Sequence, residues 1–118
     1  MGIRIRSKRN LLDYVPVKNK ENETTYSEQG LVRIHIKRNS LFERFLRKFK
    51  EIPKEFVVKL DEFGTFVWDE IDSRKTIFEI GKAFNTRFNE ENDADYARTA
   101  QFMKLLKNNN LITLVFKK

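Results

Sequence analysis

The sequence contains no cysteine and a single histidine among its 118 residues, and both shortages exclude classes of chemistry. Without cysteine there are no disulfides, thiolate metal sites, iron–sulfur ligands or cysteine nucleophiles. A histidine zinc site or a Ser-His-Asp triad would depend on His35 alone. The densest carboxylates lie in residues 61–72, where a helix start and its solvated face explain them best. We therefore expect a protein that is not an enzyme, with no metal and no cofactor.

Glycines and long hydrophobic runs are also scarce. The four glycines are scattered at positions 2, 30, 64 and 81, which excludes a glycine-rich phosphate loop. No stretch approaches the roughly 18 apolar residues of a transmembrane segment. The basic N-terminus lacks the apolar run of a secretory signal, and Arg6 stands where a myristoylation motif has serine or threonine. We expect a cytoplasmic protein with no membrane span.

The chain is basic, and its charge is unevenly distributed. Residues 1–50 carry 13 basic and 5 acidic residues (+8), residues 51–72 carry 2 and 7 (−5), and residues 73–118 carry 9 and 5 (+4), which together give the net charge of +7. This balance favours an anionic partner: nucleic acid, a membrane surface or an acidic peptide. The length predicts a single domain, 1–118, with a core rich in its 11 phenylalanines.

Three strands are predicted in the first half of the chain. Leu31–Arg38 alternates between apolar and polar residues, as a half-buried strand does. Leu11–Lys18 is a weaker candidate, and Pro16 confines it to an edge or a strand end because proline cannot donate to a ladder. The polar stretch Asn19–Gly30 is expected to connect these two strands. Glu55–Leu60 is the third strand, short and β-branched.

Between the second and third strands, residues 39–54 form an insert with a basic amphipathic helix, Ser40–Lys50. Its apolar face carries three phenylalanines, and its other faces carry Arg and Lys. Such helices bind membranes, calmodulin-like grooves or nucleic acid, but they also pack on the core of their own domain. We expect own-core packing, because helices in globular domains bury such stripes.

Three helices and a strand are predicted in the second half. Asp61 caps the first helix, Thr76 with a glutamate three residues later begins the second, and the third begins near Asp93. The third helix ends at Asn108–Asn110, since asparagine tolerates the left-handed conformation of a helix end, and residues 111–116 form a final short strand. The fold class is α+β: a small antiparallel three-stranded sheet, a three-helix half and a short C-terminal strand.

The second half also carries a family pattern. Leu60–Asp72 contains an apolar-Trp-x-x-apolar-Asp helix end, and Lys75–Ile80 contains a Thr-apolar-x-Glu-Ile helix start. Phe102–Leu106 and Asn110–Ile112 complete the pattern in the third helix and after it. Together these segments resemble the family of the pyrroloquinoline quinone biosynthesis protein D, PqqD. In that pattern the tryptophan, here Trp68, is a packing residue.

The resemblance covers Phe56 to Ile112, and it departs from the family at two glycines. Ser73 replaces the glycine that usually follows the aspartate, and Asn110 replaces the glycine before Leu111. The insert before the third strand is a further departure. The resemblance implies a winged-helix-like fold, with a three-stranded sheet and three helices.

The resemblance also implies a function, which is binding without catalysis. Domains of this family act as peptide chaperones: they recognise the leader of a ribosomally made precursor peptide and present it to a modifying enzyme, typically a radical S-adenosylmethionine (SAM) enzyme. The leader adds as a strand to the edge of the third strand and rests against the third helix. The residues expected to bind it are Phe56, Val57, Val58, Lys59 and Leu60 on the strand and Arg98, Gln101, Phe102, Lys104 and Leu105 on the helix.

One alternative remains open, a winged-helix DNA-binding protein whose third helix enters the major groove. Charge and architecture favour it, but Asp93 and Asp95 at the start of that helix would face phosphates, so the sequence supports nucleic acid less than peptide.

A proline at Val58 should abolish strand addition of the peptide if the N–H of that residue faces the peptide. Edge strands and the Phe-rich insert are also compatible with a homodimer.

Overall fold

A computed structural model describes residues 10–36 and 56–116. The insert 39–54, with the basic helix predicted in it and its predicted packing on the core, lies outside the described residues. The chain divides into two compact units: a sheet unit, residues 20–65, and a helical unit, which comprises residues 10–19 and 66–116 of the described chain. The elements are, in chain order, β1 (Tyr14–Lys18), β2 (Glu23–Tyr26), β3 (Val32–Ile36), β4 (Phe56–Lys59), α1 (Glu62–Glu70), α2 (Ile77–Arg87), α3 (Ala97–Asn108) and β5 (Ile112–Phe116).

The sheet unit is an antiparallel sheet in the order β2-β3-β4. The alternation predicted for β3 is present: Val32 and Ile34 are completely buried, and Arg33 between them is exposed. β3 is tied to the start of α1 by the Val32 N–H, which donates to Thr65 Oγ1 at 2.9 Å. The buried apolar residues of β3 thus lie on one face of the sheet, as period-two patterning requires.

The prediction that Asn19–Gly30 only connects two strands is wrong, because β2 forms within it. Thr24, Thr25 and Tyr26 have side chains that suit a pleated strand, and β3 is the strand that pairs with them in the part of the chain that the structure describes. The chain then reverses over Ser27 to Gly30, where Gly30 N–H donates to the Ser27 carbonyl at 2.9 Å. Gly30 has φ +82°, which a glycine adopts without strain. Turn geometry, more than hydrophobicity, therefore specifies this strand.

The first predicted strand exists as β1, but it pairs with β5 and is not part of the three-stranded sheet. The edge position predicted from Pro16 is confirmed, since β1 has one neighbour among the described strands. Pro16 lies opposite Leu114, and Asn19 N–H bonds to the Leu111 carbonyl at 3.0 Å. Hydrogen-bonded pairs alternate from that position, so the nitrogen of Pro16 points away from β5 and no ladder bond is lost.

Two of the helix caps, at Asp61 and Thr76, are the ones that the sequence predicts. Asp61 Oδ1 accepts the Gly64 N–H at 2.9 Å, and Thr76 forms a reciprocal capping box with Glu79. Asp93 also caps, but the helix begins four residues later: its carboxylate accepts the N–H groups of Ala97 and Arg98 at 2.9 and 3.1 Å. Each cap satisfies amide donors that the first helical turn leaves unbonded.

The core of the helical unit is built on Trp68, whose side chain is 1% exposed, as its predicted packing role requires. Ile77, Ile80 and Met103 are fully buried around the same unit. Lys18 lies with its Nζ 4.8 Å from the centre of the Trp68 ring. Burial lowers the pKa of Lys18, and the charge of Asp69 opposes part of that effect.

The two positions where the family has glycine both adopt left-handed backbone: Ser73 has φ +68° and Asn110 has φ +61°. Ser73 lies in the connection between α1 and α2, where Asp72 Oδ1 accepts the N–H groups of Lys75 and Arg74 at 2.9 Å each. Those two bonds lower the pKa of Asp72. The substitutions therefore keep the conformation for which glycine is the least strained residue.

We expect Ser73→Gly to stabilise the protein by about 0.5–1 kcal/mol, because relief of left-handed strain exceeds the added entropy of the unfolded chain. Asn110→Gly should stabilise the protein by less than Ser73→Gly does, since asparagine tolerates the left-handed conformation better than serine. The midpoint of urea unfolding measures both effects. Ser73→Ala is the control, because it keeps the strain. A Ser73→Gly protein no more stable than Ser73→Ala would contradict the explanation.

Candidate functional site

The outer edge of β4 is set by the way in which β4 pairs with β3. The register places Ile34 opposite Val58 and His35 opposite Val57. Just beyond β4, the Leu60 N–H donates to the Val32 carbonyl at 3.0 Å. In an antiparallel pair, hydrogen-bonded residues alternate with residues whose amides point the other way. The backbone of Val58 is therefore directed toward β3, and the backbone of Val57 is directed away from it.

The other side of β3 gives the same alternation independently. Ser27 N–H bonds to the Leu31 carbonyl at 2.8 Å, so the odd-numbered residues of β3 pair with β2 and the even-numbered ones face β4. The N–H and C=O groups of Val57 and Lys59 consequently point outward from the sheet. Among the described residues, β3 is the one strand that pairs with β4. The sheet thus presents two successive outward-facing residues for pairing with a further strand.

The five strand residues expected to bind the peptide fall into two classes. Val57 is 38% exposed and Lys59 is exposed, and their amides point outward. Phe56 and Val58 are half-buried, and Leu60 is 9% exposed with its N–H bonded to Val32. Since the backbone of Val58 faces β3, a proline at Val58 would break the sheet itself. The residue for testing strand addition is Val57.

The helix residues expected to bind the peptide lie on α3, in the helical unit. Gln101 and Lys104 are exposed, Phe102 is half-buried, and Leu105 is 57% exposed. Met103 and Leu106 on the same helix are buried at 0% and 2%. The expectation that Leu105 is apolar surface left over from core packing therefore holds, and it holds in part for Phe102.

Arg98, the fifth helix residue, already has partners within its own unit. Its Nη1 lies 3.2 Å from Glu90 Oε2, and its guanidinium lies 5.3 Å from the centre of the Phe84 ring. The Arg98 side chain is 47% exposed, so the ion pair with Glu90 is weak. Binding of an acidic peptide residue to Arg98 would compete with Glu90.

The described residues contain no group of three or more histidine, cysteine and acidic side chains placed to hold a metal ion. His35 Nε2 lies 2.8 Å from Thr25 Oγ1, across the β2–β3 pair. None of the helices in residues 10–36 and 56–116 is both long and apolar enough to cross a membrane. The described residues do contain an edge strand, β4, with outward-facing amides and with exposed cationic and apolar side chains.

Sequence reasoning missed one residue beside this edge, Arg33. It lies directly opposite Lys59 in the β3–β4 register and is exposed. The alternation along each strand places each residue on a face, but the register that puts them side by side depends on the pairing. No local pattern in the sequence encodes that register.

Comparison with known proteins gives one family. The model of the family described as coenzyme PQQ synthesis protein D (PqqD) matches residues 43–112, which is more than half of the chain. A search of curated proteins and a search of solved structures each returned no match. The matched span includes β4, the helices α1, α2 and α3 and the first residue of β5. On that match, and on the α+β architecture, this chain belongs to the PqqD family.

Proposed function

We propose that this protein is a non-catalytic module that binds the leader of a ribosomally made precursor peptide and presents it to a modifying enzyme of the radical SAM type. Membership of the PqqD family supports a role in the biosynthesis of PQQ or of other ribosomally made, modified peptides. The observation that carries the binding role is the outer edge of β4, where Val57 and Lys59 direct their backbone groups away from β3.

A strand edge suits a binding module because it recognises the backbone of its ligand. Main-chain hydrogen bonds supply affinity that does not depend on sequence, and the side chains beside the edge supply selection. Here Val57 offers exposed apolar surface, and Lys59 offers a charge. An extended peptide thus gains backbone bonds and side-chain contacts along one short strand.

The helix residues are a separate proposal that rests on the family resemblance. Leu105 is the most exposed large apolar residue of α3, and Lys104 beside it is an exposed cation. Leu105→Ala and Lys104→Ala test them without touching β4. We expect each to weaken peptide binding by about two- to fivefold, as the loss of a partly exposed contact does.

The proposal is tested by NMR titration of the isotope-labelled full chain. The probes are synthetic peptides that correspond to the short reading frames beside its gene, with a scrambled peptide and a duplex DNA as controls. We expect one peptide to bind saturably and to shift the amides of Val57 and Lys59 most, because these gain hydrogen bonds. Affinity should fall only modestly with salt. Shifts with DNA alone, together with a steep loss of affinity in salt, would overturn the proposal.

The DNA-binding alternative is less well supported by the helical unit. Phosphates often bind at a helix N-terminus, where amide donors are unbonded. In α3 the first of these donors, Ala97 and Arg98, are bonded to the carboxylate of Asp93. That carboxylate would repel a phosphate at the same position.

A further inference from the structure

Two cations face each other across the β3–β4 pair. Arg33 lies directly opposite Lys59, and both side chains are exposed on the sheet face away from Val32 and Ile34. Opposed residues in an antiparallel pair have their Cβ atoms roughly 5 Å apart, and like charges there are destabilising. Neither cation has an ion-pair partner among the described residues. Within residues 10–36 and 56–116, the sheet thus carries a positive pair with no opposite charge bonded to it, next to its outer edge.

The neighbouring positions on this face have a different character. Glu23, His35 and Val57 form the next cross-strand row, two residues along each strand from Thr25, Arg33 and Lys59. His35 is held by its 2.8 Å contact with Thr25 Oγ1. Val57 ends its row at the edge with apolar surface, and Lys59 ends the other row with a charge. On this face, the edge of β4 therefore offers an apolar position at Val57 and a cationic position at Lys59.

We infer that the peptide bound at this edge carries an acidic residue opposite Lys59 and an apolar residue two positions away, opposite Val57. The inference rests on the proposed function, since it needs a strand added to β4. An added strand places its alternate side chains on the same face as the residues that they oppose. A carboxylate opposite Lys59 lies beside that cation, with Arg33 one strand further in.

The expected size of the effect follows from the exposure of these groups. The carboxylate gains one exposed ion pair, with Lys59, and Arg33 adds attraction from roughly 10 Å, close to the screening length at 0.1 M salt. We expect the acidic residue to raise affinity by about two- to fivefold at low salt, and by less at high salt. The order of the two residues along the peptide reports the direction of the added strand.

The experiment is selection from a random twelve-residue peptide library on the immobilised full chain. Wild type, Arg33→Glu/Lys59→Glu and the control Arg74→Glu are compared, because Arg74 is an exposed cation of the helical unit. On wild type we expect Asp or Glu at one fixed position, two residues from an apolar residue. The charge-reversed pair should select Lys or Arg at that same position, and Arg74→Glu should select as wild type does.

A selected peptide then gives the quantitative test. Changing its acidic residue to lysine should weaken binding to wild type by about three- to tenfold and strengthen binding to the charge-reversed pair by a similar factor. Bound peptides that show no acidic position, or a charge reversal that leaves the selected sequences unchanged, overturn the inference and leave the proposed function intact. A library that gives no peptide whose binding needs the β4 edge overturns both.

Discussion

Val57→Pro is expected to reduce peptide affinity by at least tenfold while leaving the fold intact. Proline removes the outward N–H of Val57 and places its ring where the incoming backbone would lie. It is tolerated in the free protein because proline is compatible with the outward-facing positions of edge strands. Isothermal calorimetry with a peptide selected on wild type measures the loss, and circular dichroism checks the fold.

Two matched variants make this result specific. Val57→Thr keeps the N–H and the branched shape, so we expect affinity within about threefold of wild type. Val58→Pro removes an N–H that is directed toward β3 and leaves the opposed carbonyl unbonded, so we expect it to destabilise the sheet unit by about 1–3 kcal/mol and to lose binding through unfolding. A folded Val57→Pro protein that binds at wild-type affinity would exclude strand addition at β4.

Gly81→Ala is expected to destabilise the protein by about 1–2 kcal/mol, although alanine is the better helix former. In a helix interior without close neighbours, replacing glycine with alanine would stabilise the protein by roughly 1 kcal/mol. A Cβ at position 81, however, would lie 2.9 Å from the Cβ of Tyr96 and 3.1 Å from two atoms of its ring. Overpacking of this kind costs about 1–3 kcal/mol or more. The free energy of urea unfolding gives the net effect.

The cause can be isolated with a second change at the contact. Tyr96 has φ +55°, so Tyr96→Gly removes the opposing atoms and also relieves a left-handed backbone, although it loses the ring contact with Phe78 at 5.3 Å. In the Tyr96→Gly background, Gly81→Ala should become neutral or stabilising by up to about 1 kcal/mol. If Gly81→Ala costs the same in both backgrounds, the close approach to Tyr96 is not its cause.

The elements best predicted from sequence are those with local causes. The Thr76–Glu79 capping box, the Asp61 cap and the end of α3 at Asn108–Asn110 each depend on residues within one turn of one another. Such short-range hydrogen bonds form wherever the backbone allows them, so the spacing of the residues in the sequence is enough to predict where these helices begin and end. The family pattern, which consists mostly of packing positions, is carried by the same local periodicity.

The elements missed or misassigned depend on pairing between distant segments. β2 has few apolar residues and exists because the turn from Ser27 to Gly30 folds it back onto β3. β1 was predicted correctly as an edge strand, but its partner, β5, is almost one hundred residues away in the chain. Strand partners are selected by long-range packing, which periodicity within one segment does not encode.

The candidate site shows the same division. The α+β class and the residues of the third predicted strand follow from periodicity along the chain, and the motif in the second half carries the resemblance to the PqqD family. Strand pairing in the folded protein is what turns the backbones of Val57 and Lys59 outward and that of Val58 toward β3, and what places Arg33 beside Lys59. The physical reason is register: a shift of one residue in strand pairing exchanges which amides form the ladder and which remain open to a ligand.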